Sequence, residues 1–257
     1  MDATQILSDL KRVSCNSSFL NDLVEKFPYE CHVRDVQTKK YLLTNYHHVS
    51  SCGLKAIGDI VGLTRKDILE EIQKKANLNS ITISNHIENI NLAEKIEDQI
   101  YIQKSPISSK HLTIRKNGAV KLEHSFKCGV MNHDQKVIAI LAIYFDLTDQ
   151  VPLLKLFRLY QEFYSRKEAA QKFLNHFNLE GCFDPYAPLT HREIEILISM
   201  HEDSRCKVIA NKFGCSVPTA SNHIHNINGK LRSGTIHDVL TKLRAIPENE
   251  QSAYLYI

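Results

Sequence analysis

The spacing of apolar residues along this chain changes three times, and each change marks a different kind of structure. Within residues 1–27, Ile6, Leu7, Leu10 and Val13, then Phe19, Leu20, Leu23 and Val24, recur at intervals of three and four around a polar break at 14–18. That period predicts two short helices. From about Tyr29 the period falls towards two: residues 30–36 and 40–45 read as strands about a Gln37-Thr38-Lys39 turn. Helical spacing returns over 55–59, 66–75 and 82–103. Three more strands follow at 112–115, 121–130 and 136–145, with Asn117-Gly118 and Asn132-His133-Asp134 as turns. Over 151–179, Leu153, Leu156, Tyr160, Phe163, Ala170, Leu174 and Phe177 predict one long helical stretch broken only near Lys167. Its apolar face also takes in Leu154, Phe157 and Tyr164, so a dimer helix and a helix laid across its own domain both fit.

The last third is the most sharply punctuated. Thr190 can cap a helix, Glu193 can reach back as its capping-box partner, and Leu189 can staple onto Ile194. Ile194, Leu197, Ile198 and His201 continue that helix until Asp203 and Ser204 offer a break and a new cap. A short second helix carries Val208, Ile209, Lys212 and Phe213 and stops at Gly214. Ser216 caps a third, with Pro218 tolerated in its first turn, running to about Leu231. Its inward face is Ala220, Ile224, Ile227 and Leu231; Ser221, Asn222, His225, Asn226 and Asn228 face outward. Two helices joined by a tight turn, the second polar on its free face, suit entry into a DNA major groove.

Composition adds limits. With 257 residues, 43% hydrophobic and 24% charged, the chain has room for two modest globular domains. The formal charge is +3, and residues 189–244 hold eight Lys and Arg against five Asp and Glu, so the excess lies there. That is mild for a nucleic-acid binder and predicts weak binding by one domain and function as a homodimer. Seven scattered cysteines without a C-x-x-C pair read as reduced thiols in a cytoplasmic protein. There is no signal pattern, and the longest apolar run, 137–145, is too short to cross a bilayer, so no membrane is expected. Phosphate-binding, nucleophile-elbow and metalloprotease motifs are missing, so no enzyme activity and no catalytic residue are expected. His47-His48 with Cys52, and Cys31-His32, lack a tetrahedral ligand spacing, and no metal site is assigned.

Two resemblances sharpen this outline. The run from Leu189-Thr190-His191-Arg192-Glu193-Ile194, through Val208-Ile209-Ala210 and Ser216 to Ile227, closed by Lys230-Leu231, resembles the LuxR/FixJ-type helix-turn-helix domain. It departs from that family at Asp203, where a turn glycine is usual, at Ser221, where a basic residue is usual, and at Ile236, where an arginine is usual. The strand-helix-strand order of residues 28–149, with Asn45, Ile60-Val61-Gly62 and the exit Asp146-Leu147-Thr148, resembles a PAS domain. The photoactive asparagine-cysteine-arginine motif of flavin-binding PAS domains is missing, and His86 is the lone haem-ligand candidate. Flavin and haem are therefore not expected, and a small PAS ligand is left open. Without tryptophan the chain does not resemble lactone-sensing LuxR proteins, and it shows no phosphorylated receiver domain.

The implied fold is α+β: a PAS-like antiparallel sheet with helices, then a separate all-α four-helix LuxR-type domain. The expected boundaries are N-terminal helices 1–27, the PAS-like domain 28–149, a linker helix and loop 150–185, the helix-turn-helix domain 186–246 and a tail 247–257. The resemblance implies a transcriptional regulator that binds double-stranded DNA. Thr219, Ser221, Asn222, His225 and Asn226 are the candidates for bases or phosphates, and Lys207, Lys212, Lys230 and Arg232 for phosphates. A fourth helix over about 235–246 should place Ile236, Val239, Leu240 and Leu243 in a dimer contact. RNA polymerase is a further partner left open. Two alternatives stand beside this reading: an interaction adaptor with a degenerate helix-turn-helix, and a ligand- or haem-dependent PAS sensor.

Overall fold

Among the described residues, 17–75 and 78–244 of the computed structural model, five antiparallel strands form one sheet. They are β1 (Glu30–Asp35), β2 (Tyr41–Thr44), β3 (Ile107–Ile114), β4 (Val120–Met131) and β5 (Val137–Asp146), in the order β2-β1-β5-β4-β3. The chain divides into two compact units, Met1–Thr148 and Asp149–Ile257.

In the first unit, α1 (Ser17–Lys26) precedes the sheet, and α2 (Tyr46–Ser51), α3 (Arg65–Lys75) and α4 (Ser80–Gln103) fill the connection from β2 to β3. This order and arrangement are those of a PAS domain. The residues that suggested it have structural work to do. The Asn45 side chain accepts from the backbone N–H of Cys31 and His48 and donates to the carbonyls of Phe27 and Tyr29, fastening the start of β1 to the end of β2. Gly62, at φ +88, donates its N–H to the Tyr41 carbonyl, a turn that a side chain would strain. Asp146 accepts from Thr148, whose hydroxyl oxygen accepts the Leu122 N–H, so the exit of β5 is tied to β4.

Alternation along the strands sends side chains to two unlike faces. Cys31, Val33 and Ala139 pack with Leu42 and with Val24 of α1. His32 and Arg34 of β1 and Lys121, Ser125 and Lys127 of β4 are buried on the opposite pleat. Helix α2, over 46–51, lies ahead of the first helical segment expected, 55–59, because the Asn45 cap starts a helix in a polar segment without apolar period. The expected helix among residues 1–13 lies outside the described residues.

The second unit begins with a helical hairpin, α5 (Leu153–Phe163) and α6 (Arg166–His176). The single stretch expected over 151–179 is thus divided at Tyr164-Ser165, where Ser165 caps α6 in a box with Glu168. Phe157 and Phe173 are fully buried with ring centroids 5.2 Å apart, and Phe157 also meets the His191 ring at 5.2 Å. The hairpin therefore packs on α7 (His191–Glu202). Residues 180–184 are fastened as well: Asp184 N–H donates to the Lys230 carbonyl and Arg232 N–H to that of Cys182. The segment expected to link two domains is part of the second unit's core. Then follow α8 (Cys206–Phe213), α9 (Val217–Gly229) and α10 (Ile236–Arg244). The tail 247–257 lies outside the described residues.

Candidate nucleic-acid interface

Helix α9 owes its start to local chemistry. Gly214 takes φ +62 to end α8, and Cys215 N–H returns to the Ala210 carbonyl. Ser216 Oγ then accepts the Thr219 N–H at 3.2 Å, with Pro218 at the second helical position. Ala220 and Ile227 are fully buried and hold α9 against α8 and α7. Thr219, Ser221, Asn222, His225 and Asn226 are all exposed, while His223 and Ile224 are half-buried. A short, rigidly anchored helix thus presents amides, hydroxyls and an imidazole to solvent, groups able to donate and accept at base edges.

The start of α7 is fixed as the sequence predicts. Thr190 N–H donates to Glu193 Oε2 at 2.6 Å and Glu193 N–H to Thr190 Oγ1 at 3.3 Å, with Leu189 buried beside them. Lys230 joins this corner: its Nζ lies 2.7 Å from Glu193 Oε2 and 3.2 Å from the Pro188 carbonyl. Burial would raise the Glu193 carboxyl, but the bonds from Lys230 and Thr190 hold it below the usual carboxylate value. Lys230 therefore locks the end of α9 to the start of α7, a positioning role beside the phosphate contact expected of it. Lys230→Met should cost the second unit about 1–3 kcal/mol, because the buried Glu193 charge loses its partner. Denaturant titration checks this.

The remaining cations are divided. Lys207 and Arg232 are exposed. Lys212 lies 2.5 Å from Glu202, Arg205 2.5 Å from Asp203, and Arg192 3.1 Å from Glu195 while stacking over Phe213. Such exposed pairs contribute little and can exchange a carboxylate for a phosphate.

The four residues expected at a dimer contact do not act together. Val239 and Leu243 are buried within the unit, where α10 packs on α7; Ile236 and Leu240 are half-buried and keep some surface. The period that singled out all four is the period of the helix's core face, so Val239 and Leu243 are removed from the contact. Leu240→Glu should leave the unit folded while shifting the chain to monomer in sedimentation. Val239→Glu should unfold it.

The first unit holds a second concentration of chemistry that the sequence reading missed. On α4, Glu97 is 1% exposed and meets Arg34 of β1 through both oxygens, at 2.9 and 3.1 Å, and Nη2 of Arg65, the first residue of α3, at 2.5 Å. Lys127 Nζ is 3.9 Å away. At the end of the pleat where β1 and β4 begin and β5 ends, Lys121 Nζ lies 2.7 Å from Glu30, 2.8 Å from Glu123 and 3.7 Å from Asp146. Burial would raise Glu123, but Lys121 and His111 hold it down at about 2. The rings of Tyr41, His48 and Tyr144 lie 4.8, 4.5 and 5.5 Å from that of His32. Burial lowers the His48 imidazole to about 4, and its Nδ1 is 2.9 Å from Thr44 Oγ1. The haem candidate His86 is half-buried, held below its usual value by burial against an opposing bond to the Ile114 backbone.

Residues 187–242 match the family described as "Bacterial regulatory proteins, luxR family". The second unit therefore carries a LuxR-type helix-turn-helix domain. No curated protein matches this chain in sequence. Among solved structures, a VqmA–ligand–DNA complex from Vibrio cholerae is 14% identical, covering 91% of this chain and 92% of that one, with TM-score 0.42. A phage VqmA–DPO complex is 15% identical over 90% and 92%, with TM-score 0.45. The PAS domain of Bordetella pertussis BvgS is 14% identical over 56% and 96%, with TM-score 0.41. Among the described residues no helix is long and apolar enough to cross a membrane.

Proposed function

We propose that this chain is a DNA-binding transcriptional regulator in which the PAS-type unit receives a small-molecule signal and the LuxR-type unit, paired as a dimer, reads double-stranded DNA. The observation that carries this is α9: five candidate contact residues exposed on a helix whose cap and buried face are both fixed. Asn222 and Asn226 suit adenine, to which an amide can donate and accept at once, and Lys207 and Arg232 supply phosphate contacts. Asn226→Ala should weaken binding to a selected site ten- to a hundredfold, about 1–3 kcal/mol, and leave non-specific binding unchanged. Competition electrophoresis with mismatched sites reads that difference, and an equal loss on every sequence would put Asn226 on the backbone instead.

A second reading rests on the cations. With Arg192, Arg205, Lys212 and Lys230 all facing carboxylates, few remain unengaged, as a protein-interaction adaptor would need. Weak binding with no sequence preference, together with a stable protein partner, would favour it.

A further inference from the structure

Charge under the helices of the first unit is unevenly shared. Around the single Glu97 carboxylate stand three cations, Arg34, Arg65 and Lys127. Arg34 is fully spent: Nη1 holds both Glu97 oxygens, and Nε and Nη2 donate to the Lys39 carbonyl. The others are not. Lys127 is 2% exposed, yet its nearest carboxylate oxygen is 3.9 Å away, and its Nζ lies 5.8 Å from the centroid of the Tyr144 ring. Arg65 gives Nη2 to Glu97 and interacts with the Tyr144 hydroxyl, while its Nη1 is left without a hydrogen-bond partner. Neither ring nitrogen of His32 has such a partner, although His32 is 1% exposed and stacks on Tyr144 at 5.5 Å.

These groups share one neighbourhood: His32 and Lys127 flank Ala142 of β5 from its two sides and both meet the Tyr144 ring, and Arg65 and Lys127 both face Glu97. Buried donors and a surplus buried cation are costly unless something meets them. Water can satisfy the donors but does not neutralise the surplus charge, which without an anion is relieved only by loss of the Lys127 proton. An anion does both.

We propose that Lys127, Arg65 and His32 form a binding site for a small oxyanion, a metabolite carrying a carboxylate or phosphate group. The proposal rests on the reading of this unit as a sensor and names the chemistry it senses. The oxyanion's oxygens accept from Lys127 Nζ and Arg65 Nη1 and from a His32 N–H, with the Tyr144 ring beside them. Burial, reinforced by the Arg65 guanidinium, holds Lys127 down to about 7, so a bound anion would return a full charge to it. The opposite, carboxylate-rich end, where Glu30, Glu123 and Asp146 surround Lys121, repels a second anionic group. It therefore favours a ligand with one anionic end.

The test is the melting temperature of the full chain in acetate, succinate, inorganic phosphate or neutral acetamide, with ionic strength held constant by sodium chloride. The same series is run on Lys127→Met, which keeps the stem and removes the cation, and on Lys127→Gln should the first variant not fold. The expected result is a rise of several degrees for the wild type with a carboxylate or with phosphate, the arm that responds naming the source. The variant should melt higher than the unliganded wild type and show no response. A variant that responds like the wild type, or a wild type that responds to no oxyanion, overturns the site. Native mass measurement of the purified full chain then separates the two failures. A retained neutral compound keeps the sensor reading and discards the oxyanion, and no bound compound at all discards both.

Discussion

Glu97→Gln is expected to unfold the PAS-type unit, or to bring it to the edge of unfolding, at neutral pH. The substitution keeps the shape of the side chain and removes the one carboxylate that faces Arg34, Arg65 and Lys127, two of which meet it at hydrogen-bonding distance. A partner removed from a buried pair leaves an uncompensated charge, at a cost of about 3–5 kcal/mol. Here two guanidinium groups are stranded together, so the upper part of that range applies. That is a large share of a domain's stability. Urea titration followed by hydrogen exchange, which separates the strands β1 and β4 from the helices of the second unit, reads the effect. A loss below about 1 kcal/mol would mean that the cluster is well solvated, and the buried arrangement around Glu97 would be wrong.

Phe157→Ala is expected to cost the second unit about 3–5 kcal/mol, the range for removing a buried aromatic ring. Phe157 is fully buried, meets Phe173 and His191, and seats the hairpin of α5 and α6 on α7, the helix that carries the Thr190–Glu193 capping box. The same argument predicts how the chain can be divided. A fragment starting at Asp149 should unfold cooperatively, whereas one starting at Tyr186 leaves the face of α7 uncovered and should lose its cooperative transition. Calorimetry of the two fragments decides between them, and equal transitions would make the hairpin dispensable.

Much of the DNA-binding domain was legible because its signals are local. A cap at Thr190, a stop at Gly214 and a cap at Ser216 each act within a few residues, and the structure places α7, α8 and α9 where those signals lie. The α+β class and the succession of two strands, helices and three strands were legible through alternation and turn chemistry, with Asn45 and the Asp146-Leu147-Thr148 exit acting where the PAS resemblance placed them.

What was not legible depended on which face of an element meets another. Glu30, His32 and Arg34, and Lys121, Glu123, Ser125 and Lys127, alternate along their strands in the pattern of a solvent-facing pleat. Nothing in that pattern tells that helices cover this pleat, or that Glu97 arrives from 63 positions beyond Arg34. The surplus of polar residues on both strands was the available signal. Lys230 illustrates the same limit: a lysine at the end of a recognition helix suits a phosphate, and only the fold brings Glu193 within 2.7 Å of it. Val239 and Leu243 were selected by a period that marks the buried face of α10, which cannot also be its contact face.

The most direct test of the account is retention of sheared genomic DNA by the full chain across a salt series, followed by sequencing of what is held. The account predicts enrichment of a short inverted repeat that survives rising salt, with the enrichment lost in Asn226→Ala and kept in Lys230→Met at temperatures where that variant is folded. Binding without any enriched sequence, or no binding with or without a PAS ligand, would contradict it.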